Sequence, residues 1–230
     1  MSEVGVVAAL KAEARTLGPA AKRSDGLWTL SDGALLAVSG IGGELAATAA
    51  RSLVQAGAAS LMSFGLAGGL DPSLAAGCVV LPNEVISRDG LSFLTAAPWR
   101  EQLHGVIARD RPVASGKLLS IPQPIDAIAD KAAAFRETGA AAVDMESFAI
   151  AQVAADHRLP FIAVRVIVDT AVDVLPRAVL AASGGGEVNI RRLIGGLAAT
   201  PLDLIALLRL ARRYRAATRS LIAVAGARVA

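Results

Sequence analysis

Short apolar runs rich in β-branched residues alternate along the chain with Ala-rich stretches whose apolar residues recur every three to four positions. The first pattern predicts buried strands and the second predicts helices. We predict strands over Val4–Leu10, Leu35–Val38, Ser60–Phe64, Cys78–Ile86, Val113–Ser120, Ala141–Val143 and Phe161–Val168, and helices over Glu44–Ala56, Ile125–Thr138 and Glu146–His157. The rest is predicted to be mostly helical, with breaks at Pro176, at glycines 184–186 and at Pro201.

This alternation, with strands that are apolar throughout, predicts an α/β fold in which a mainly parallel sheet is covered by helices on both faces. Ligands in such folds bind at the carboxyl ends of the strands. We expect the glycine-rich segments after Val38 and Phe64, and Asp169 after the last strand, to lie there. The chain shows no internal repeat and no long linker, so we expect one domain over residues 1–230.

Composition limits the cellular compartment and the binding partners that we expect for this protein. Cys78 is the single cysteine among 230 residues, so no intrachain disulfide can form, and a reduced cytoplasmic location is expected. We find no signal-peptide pattern and no run of the ~18 apolar residues that a membrane span needs. A net charge of +3 does not indicate nucleic acid as a partner, and the two histidines have no metal-ligand spacing, so no metal is expected.

The basic charge is concentrated near the end of the sequence. No acidic residue follows Asp203, whereas arginines alternate with large apolar residues through 201–228. One interpretation is an ordinary amphipathic helix that closes the sheet and exposes a solvated basic face. The other is a helix that also makes a peripheral contact with anionic lipid at the inner face of the membrane.

Four carboxylates stand near predicted strand ends and helix starts, and three of them, Glu13, Glu146 and Asp169, also have a functional interpretation. Their structural interpretation is a solvated Glu13 in a first helical turn, Asp144 as an N-cap before an early-turn Glu146, and Asp169 as a cap. Their functional interpretation is the cleavage of a glycosidic bond. One group activates water, one accepts the hydroxyl groups of a ribose, and one protonates the leaving group.

Two further features have a structural and a functional interpretation. Arg165 interrupts an apolar strand, so its charge needs either a structural ion-pair partner or a substrate. Ser39–Gly43 and Gly65–Gly69 match neither a P-loop nor the dinucleotide fingerprint. These glycine segments are either tight turns that need positive φ or places where backbone approaches a ligand.

In order and spacing, five segments resemble motifs of the nucleoside phosphorylase/nucleosidase superfamily, and most closely its 5′-methylthioadenosine/S-adenosylhomocysteine nucleosidase branch. The segments are Gly5–Glu13, Ser39–Gly42, Gly65–Gly69, Val143–Glu146 and Val164–Asp169. The resemblance implies a three-layer α/β/α sandwich with a central mixed, mainly parallel twisted sheet. It also implies a homo-oligomer, for which a dimer is the expected form.

The resemblance further implies roles for single residues. Asp169 would be the catalytic acid, Glu13 the residue that activates water, Glu146 the acceptor of the ribose hydroxyls, and Met145 the apolar floor under the sugar. The other implied substrate-binding residues are Val143, Arg165, Gly40, Ile41, Gly42, Leu66, Ala67 and Gly68. No cofactor is implied, and inorganic phosphate would enter only as a co-substrate in place of water.

The chain departs from the nucleosidase pattern at three places. Leu66 replaces a small hydroxyl residue, Val168 replaces a serine, and Leu119–Pro124 lacks the Ser-Gly-Asp loop that frames adenine. The purine base and the choice between water and phosphate therefore stay open. Phe64–Pro72, together with Val143–Ser147 and the basic apolar C-terminal segment, resembles the hopanoid-associated phosphorylases. This resemblance implies removal of adenine from adenosylhopane, a nucleoside lipid.

We therefore expect an enzyme that cleaves the N-glycosidic bond of a 5′-substituted adenosine. The alternatives are a 5′-methylthioadenosine/S-adenosylhomocysteine nucleosidase, a futalosine-type nucleosidase that releases hypoxanthine, and a non-catalytic nucleoside- or lipid-binding protein on the same fold. A binding protein would have no need of both Glu13 and Asp169, and both are present.

Overall fold

A computed structural model describes residues 3–173 and 201–227 of the protein, with side chains for 3–173 and 211–227. The strands are β1 Val4–Ala8, β2 Ala20–Lys22, β3 Trp28–Leu30, β4 Leu35–Val38, β5 Ser60–Gly69, β6 Val79–Val80, β7 Glu84–Ile86, β8 Ser92–Leu94, β9 Val113–Ala114, β10 Lys117–Ser120, β11 Ala140–Asp144 and β12 Phe161–Asp169. The helices are α1 Lys11–Thr16, α2 Gly43–Gln55, α3 Ala97–Ile107, α4 Ile128–Thr138, α5 Ser147–Asp156 and α6 Pro201–Ala227.

The strands of the described residues form one mixed sheet centred on β5. Its main path runs β2-β3-β4-β1-β5-β11-β10-β7-β8, while β12 pairs with β5 and β6, and β6 pairs with β9. Strand β5 pairs in parallel with β1 and, along nearly its full length, with β12, and its end pairs antiparallel with β11. Strand β1 therefore ends beside the middle of β5, near Ser63, and β12 ends beside Gly68 near the end of β5.

Helices pack on both faces of this sheet. On one face Leu53 of α2 and Ile150 of α5 belong to a core cluster with residues of β1, β4, β5 and β12. On the other face Leu103 of α3 and Leu221 of α6 belong to a second cluster, which also contains Ala14 of α1. The predicted three-layer α/β/α arrangement with a mixed sheet is confirmed.

Most predicted elements are present with shifted ends, and three differ in kind. The strand predicted to end at Phe64 continues to Gly69, and none of Gly65, Gly68 and Gly69 has a positive φ, so the prediction of a turn there is wrong. The predicted strand Cys78–Ile86 is two strands, β6 and β7, separated around Pro82, which has no N–H to donate to a sheet.

The strand predicted over Val113–Ser120 is also divided, because Gly116 between β9 and β10 has a φ of 109°. Gly40 and Gly42 have φ values of 87° and 106°, which confirms a tight turn before α2. The predicted breaks at Pro176 and at 184–186 lie outside the described residues.

Gly5 tests how tightly the sheet packs on α2. A Cβ atom at this position would lie 2.9 Å from the Cβ of Ala58 and 3.1 Å from the Cβ of Leu53. We expect Gly5→Ala to lower the free energy of unfolding by ~1–3 kcal/mol, the usual cost of overpacking. Gly105→Ala is the matched control, since its Cβ meets nothing within 4 Å in an exposed helix.

Gly105→Ala should instead raise the free energy of unfolding by ~0.5–1 kcal/mol through helix propensity. Denaturant unfolding of both variants measures the two changes. An unchanged midpoint for Gly5→Ala would show that β1 and α2 are packed more loosely than these distances indicate.

Candidate active site

A cavity of about 250 Å³ opens at the carboxyl ends of β1, β5, β11 and β12. Four carboxylate side chains line it, and most of the remaining lining is apolar. The lining residues are Ala9, Leu10, Glu13, Ile41, Leu66, Ala67, Gly68, Pro124, Ile125, Val143, Asp144, Met145, Glu146, Val168 and Asp169. The site predicted at these strand ends therefore coincides with a cavity.

Glu13 enters the cavity from the first turn of α1, directly after β1. Its carboxylate accepts hydrogen bonds from the backbone N–H groups of Leu10, at 2.9 Å, and Leu66, at 2.8 Å. The residue is only 5% exposed, so the interpretation of a solvated first-turn carboxylate is wrong. Burial raises the pKa of Glu13, although the charge of Arg165 and the backbone hydrogen bonds act in the opposite direction.

The glycines of β5 make room for these side chains. A Cβ atom on Gly65 would lie 2.6 Å from Oε1 of Glu13 and 2.7 Å from Nη1 of Arg165. A Cβ atom on Gly68 would lie 3.4 Å from Oδ2 of Asp169. Gly65 is therefore required for close approach rather than for a positive φ, whereas a Cβ atom on Gly68 would be tight but not excluded. Of the two glycines, Gly68 lines the cavity.

Glu146 is the N-cap residue of α5, the position that the structural interpretation assigned to Asp144. Its Oε1 accepts a hydrogen bond from the N–H of Gly42 at 2.9 Å, which connects it to the turn before α2. Burial and the neighbouring charge of Asp144 raise the pKa of Glu146 from 4.5 to about 7. Glu146 therefore takes up and releases a proton near neutral pH.

Arg165 lies behind the cavity and does not line it. Its Nε donates to Oδ2 of Asp144 at 2.7 Å, and its Nη2 donates to the hydroxyl groups of Ser63, at 2.7 Å, and Ser147, at 3.0 Å. Oε2 of Glu146 is 3.9 Å from the same guanidinium group. These contacts agree with the structural ion-pair interpretation, and a direct contact with substrate stays a prediction without a geometric basis.

Asp144 ends β11 and connects this ion pair to α5. Besides Arg165, its carboxylate accepts a hydrogen bond from the N–H of Ser147 at 3.1 Å. Burial alone would lower the pKa of Arg165. The negative charges of Asp144, Glu146 and Glu13 raise it by more, so the net shift is upward. The guanidinium group therefore stays charged and offsets part of the negative charge around the cavity.

Asp169 ends β12 at an irregularity in its pairing with β5. Ile167 lies opposite Ala67 and Asp169 lies opposite Gly68, so Val168 is an extra residue. Adjacent residues of a regular strand point to opposite faces. The bulge explains how Val168 and Asp169 both come to line the cavity.

Lys131 of α4 forms a buried ion pair with Asp169 and is a residue that our sequence analysis missed. Its side chain is fully buried. Burial raises the pKa of Asp169, while the charge and hydrogen bond of Lys131 lower it. A sequence signal existed, because Lys131 lies three residues after Ile128 and three before Ala134, on the apolar face of the helix.

The other predicted site residues divide between the cavity wall and its support. Val143, Met145, Ile41, Leu66 and Ala67 line the cavity as apolar surface. Gly40 and Gly42 do not line it, and they form the turn that carries Ile41. The apolar residues of the wall that were not predicted to bind substrate are Ala9, Leu10, Pro124, Ile125 and Val168.

The described residues contain no group of three His, Cys, Asp or Glu side chains arranged to hold a metal ion. The carboxyl groups that line the cavity can take part in acid–base and electrostatic chemistry. Three carboxyl groups with raised pKa values, those of Glu13, Glu146 and Asp169, face the same space. Such an arrangement can protonate a leaving group and deprotonate a nucleophile within one site.

Comparison with known proteins identifies relatives of this fold. A family model described as Phosphorylase superfamily matches residues 28–185, which include Glu146 and Asp169. No curated protein sequence matches the chain.

Among solved structures, a 5′-methylthioadenosine/S-adenosylhomocysteine nucleosidase from Neisseria meningitidis, in complex with methylthio-immucillin-A, has a TM-score of 0.74 at 22% identity. The similarity covers 100% of this chain and 98% of that chain.

Two structures from Helicobacter pylori share the fold over a smaller part of the chain. A mutant nucleosidase of the same kind, with 5′-methylthioadenosine in its active site, has a TM-score of 0.67 at 17% identity and covers 74% of this chain and 87% of its own. A futalosine hydrolase mutant has a TM-score of 0.64 at 17% identity and covers 73% of this chain and 89% of its own.

The raised pKa of Glu146 predicts a pH dependence of stability. The folded protein holds a proton on Glu146 up to a pKa of about 7, whereas the usual value is 4.5. Stability from this residue is therefore present below about pH 4.5 and is lost as the pH rises through about 7. We expect wild type to lose up to roughly 3 kcal/mol relative to Glu146→Gln between pH 5 and 8.

Denaturant unfolding at each pH measures this difference, and Glu44→Gln, at an exposed position, is the matched control. The control curve should run parallel to that of wild type. Parallel curves for wild type and Glu146→Gln would instead show that Glu146 does not titrate differently in the folded protein.

Proposed function

Because the chain belongs to the Phosphorylase superfamily, we propose that it cleaves the N-glycosidic bond of a 5′-substituted adenosine and releases adenine. The observation that supports this most is the convergence of Glu13, Glu146 and Asp169 on one largely apolar cavity. Glycosidic cleavage through an oxocarbenium-like transition state is favoured by negative charge around the sugar and by an acid near the leaving group.

Asp169 is the proposed general acid. Its burial raises its pKa, which favours a protonated carboxyl group at the cavity. When a purine ring nitrogen accepts this proton, the base can take the electrons of the glycosidic bond and leave as a neutral molecule. Without the proton it would have to leave as an anion. The glycine at position 68 leaves space for the base beside this carboxyl group.

Glu146 and Met145 are the proposed ribose contacts. A carboxylate with two oxygens can accept hydrogen bonds from two neighbouring hydroxyl groups. Oε1 of Glu146 is already held by the N–H of Gly42, which fixes the orientation of the group before substrate binds. Met145 adds an adaptable apolar surface at the same place.

Water is the nucleophile that the charges around the cavity favour. Phosphate is an anion, and the lining in the described part of the chain carries Glu13, Asp144, Glu146 and Asp169 but no lysine or arginine. Lys131 and Arg165 lie behind the wall and are already paired with carboxylates. We therefore propose hydrolysis with Glu13 as the base, and phosphorolysis is the alternative that the experiment separates.

The 5′ substituent is proposed to be a large apolar group, as in adenosylhopane. The cavity wall formed by Pro124, Ile125 and Val168 is apolar. Close to this wall in sequence, Ile128 and Val172 expose 42% and 66% of their surfaces. An apolar group leaving the cavity in this direction would cover surface that water now contacts, which is favourable.

Base release decides between these possibilities. We expect free adenine from 5′-deoxyadenosine bearing a long alkyl group at C5′, without any requirement for phosphate. Methylthioadenosine and futalosine are the comparison substrates, and chromatography of the released bases distinguishes adenine from hypoxanthine. Asp169→Asn should lower the rate at least ~10²-fold, whereas Asp110→Asn, at an exposed position after α3, should not.

Each other outcome has a defined meaning. Release only in the presence of phosphate would assign a phosphorylase and remove the role of Glu13. Cleavage of methylthioadenosine alone would identify the protein as an ordinary methylthioadenosine nucleosidase. Release of hypoxanthine from futalosine would identify it as a futalosine-type nucleosidase. Binding of adenosine derivatives without release of any base would support a non-catalytic protein and reject the proposal.

We further propose that the exposed face of α6 contacts anionic lipid. None of the helices in the described part of the chain combines the length and apolar character of a membrane span. The apolar face of α6 packs in the core through Leu221 and Val224, so it is not free to enter lipid. The opposite face exposes Ile222 and three arginines, Arg212, Arg215 and Arg219.

Vesicle flotation tests this contact, since each arginine near an anionic surface is worth ~1 kcal/mol. Wild type should float with vesicles that contain phosphatidylserine, less so at high salt, and not with phosphatidylcholine alone. The variant with Gln at 212, 215 and 219 should stay in solution. A control with Gln at the exposed arginines 51, 88 and 109 should float, and equal behaviour of both triple variants would reject a specific contact by α6.

A further inference from the structure

Lys131 is a fully buried lysine whose ammonium group has all of its donors engaged. It forms an ion pair with Oδ2 of Asp169. It also donates to the backbone carbonyl oxygens of Thr170, at 3.0 Å, and Asp173, at 3.0 Å. An ammonium group has three donors, so this set of acceptors fits the charged form.

The loop after β12 is built to hold this cation. The carboxylate of Asp173 accepts hydrogen bonds from the N–H of Thr170, at 2.9 Å, and from its hydroxyl group, at 2.7 Å. The other oxygen of Asp173 lies 2.6 Å from Nη2 of Arg213 in α6. The carbonyl groups that face Lys131 are therefore fixed by contacts with a second helix.

The charged groups around Asp169 come from four elements. Lys131 approaches from α4, Asp173 lies on the same loop, and Glu13 of α1 and Glu146 at the start of α5 line the same cavity. Among the residues that the structure describes, Lys131 is the cation that touches Asp169, since Arg213 pairs with Asp173 and Arg165 pairs with Asp144. The charge of Asp169 is thus balanced chiefly by Lys131.

We propose that Lys131 is a positioning residue that orients the carboxyl group of Asp169 and makes it a stronger acid toward the leaving base. The inference rests on the proposed glycosidic cleavage. In that step the O–H bond of Asp169 breaks and an N–H bond forms on the base, while the electron pair of the glycosidic bond moves to the base. The oxygen of water bonds to C1′ of the sugar, and Glu13 accepts the proton that this water loses. The carboxylate that remains is stabilised by the adjacent ammonium group of Lys131.

A purely structural ion pair makes a different prediction. If Lys131 only holds α4 against the loop, its removal would lower stability and would slow all substrates alike. If it strengthens the acid, its removal must slow most those substrates whose leaving group needs a proton. It must also let Asp169 keep its proton to higher pH, because an adjacent cation lowers the pKa of a carboxyl group by ~1–3.

Two substrates with the same 5′ group separate these cases. The first is the adenine nucleoside that wild type cleaves best, and the second is the corresponding 4-nitrophenyl riboside, whose leaving group departs as an anion without protonation. Both are measured as kcat/KM from pH 5 to 9 with wild type, Lys131→Met, Lys131→Arg and the control Lys22→Met. Lys22 is exposed on the edge strand β2.

Lys131→Met should lower kcat/KM for the adenine nucleoside at least ~10-fold and should leave the nitrophenyl riboside within ~3-fold, since a general acid is worth ~10²–10⁴-fold in total. The pH at which the adenine-to-nitrophenyl ratio falls should move upward by ~1 or more. Lys131→Arg should recover part of both effects, and Lys22→Met should match wild type. In an Asp169→Asn background, Lys131→Met should have little further effect.

An equal loss on both substrates, or an unchanged pH profile of their ratio, would overturn the assignment of Lys131. If Lys131→Met does not fold, the test uses wild type and Lys131→Arg. The ratio of kcat/KM for the adenine nucleoside to that for the nitrophenyl riboside must then fall with rising pH, and the pH of this fall must differ between the two proteins. Failure of wild type to release any base rejects the proposed function together with this inference. A normal wild-type enzyme with an unaffected ratio rejects the inference alone.

Discussion

The ion pair between Arg165 and Asp144 is the interaction on which the arrangement of the site depends. Arg165 is 2% exposed and enters from a strand that is otherwise apolar, so its charge is tolerated only with compensating partners. Its contacts with Asp144, Ser63 and Ser147 join the end of β11, the centre of β5 and the start of α5. The position of Glu146 at the cavity follows from this junction.

A second constraint is the excess of negative charge in a small volume. Four carboxylates line the cavity, and two buried cations behind it, Arg165 and Lys131, each pair with one of them. Burial nevertheless raises the pKa values of Glu13, Glu146 and Asp169, because nearby cations and hydrogen bonds offset only part of its effect. The site is thus prepared to hold protons and to stabilise positive charge that develops between the carboxylates.

The sequence was informative where a local pattern determines the structure and uninformative where partners are distant along the chain. Apolar runs located the central strands, and the spacing of carboxylates after those strands located the cavity. The end of β5 was predicted as a turn because several glycines stand close together there. A group of glycines can indicate either a turn or a close contact, and here the reason is the close contact of Gly65 with Glu13 and Arg165. The short strands β2, β3 and β8 have too few residues to show a periodicity.

Lys131 shows that sequence patterns also fail to reveal distant partners within the site itself. It lies 38 residues from Asp169 in the sequence, and only the register of α4 against the loop after β12 brings them together. The sequence contained the hint that a lysine occupies an apolar helix face, but not the identity of its partner. Arg165 was recognised as a charge that needs a partner, whereas its choice of Asp144 over a substrate required the structure.

The contact between Arg213 and Asp173 also sets an order of assembly during synthesis. Helix α6 leaves the ribosome after every strand of the sheet, with Arg213 about 40 residues behind Asp173, which corresponds to several seconds at ~5–20 residues per second. During that interval the sheet can pair while the surface that α6 covers, near Gly77 and the core around Val224, stays open. A nascent chain whose sheet pairs in this interval would hold its carboxylates close together before Arg213 can fix the loop after Asp169. At that stage it would also expose the apolar surface that α6 later covers, to which a chaperone can bind.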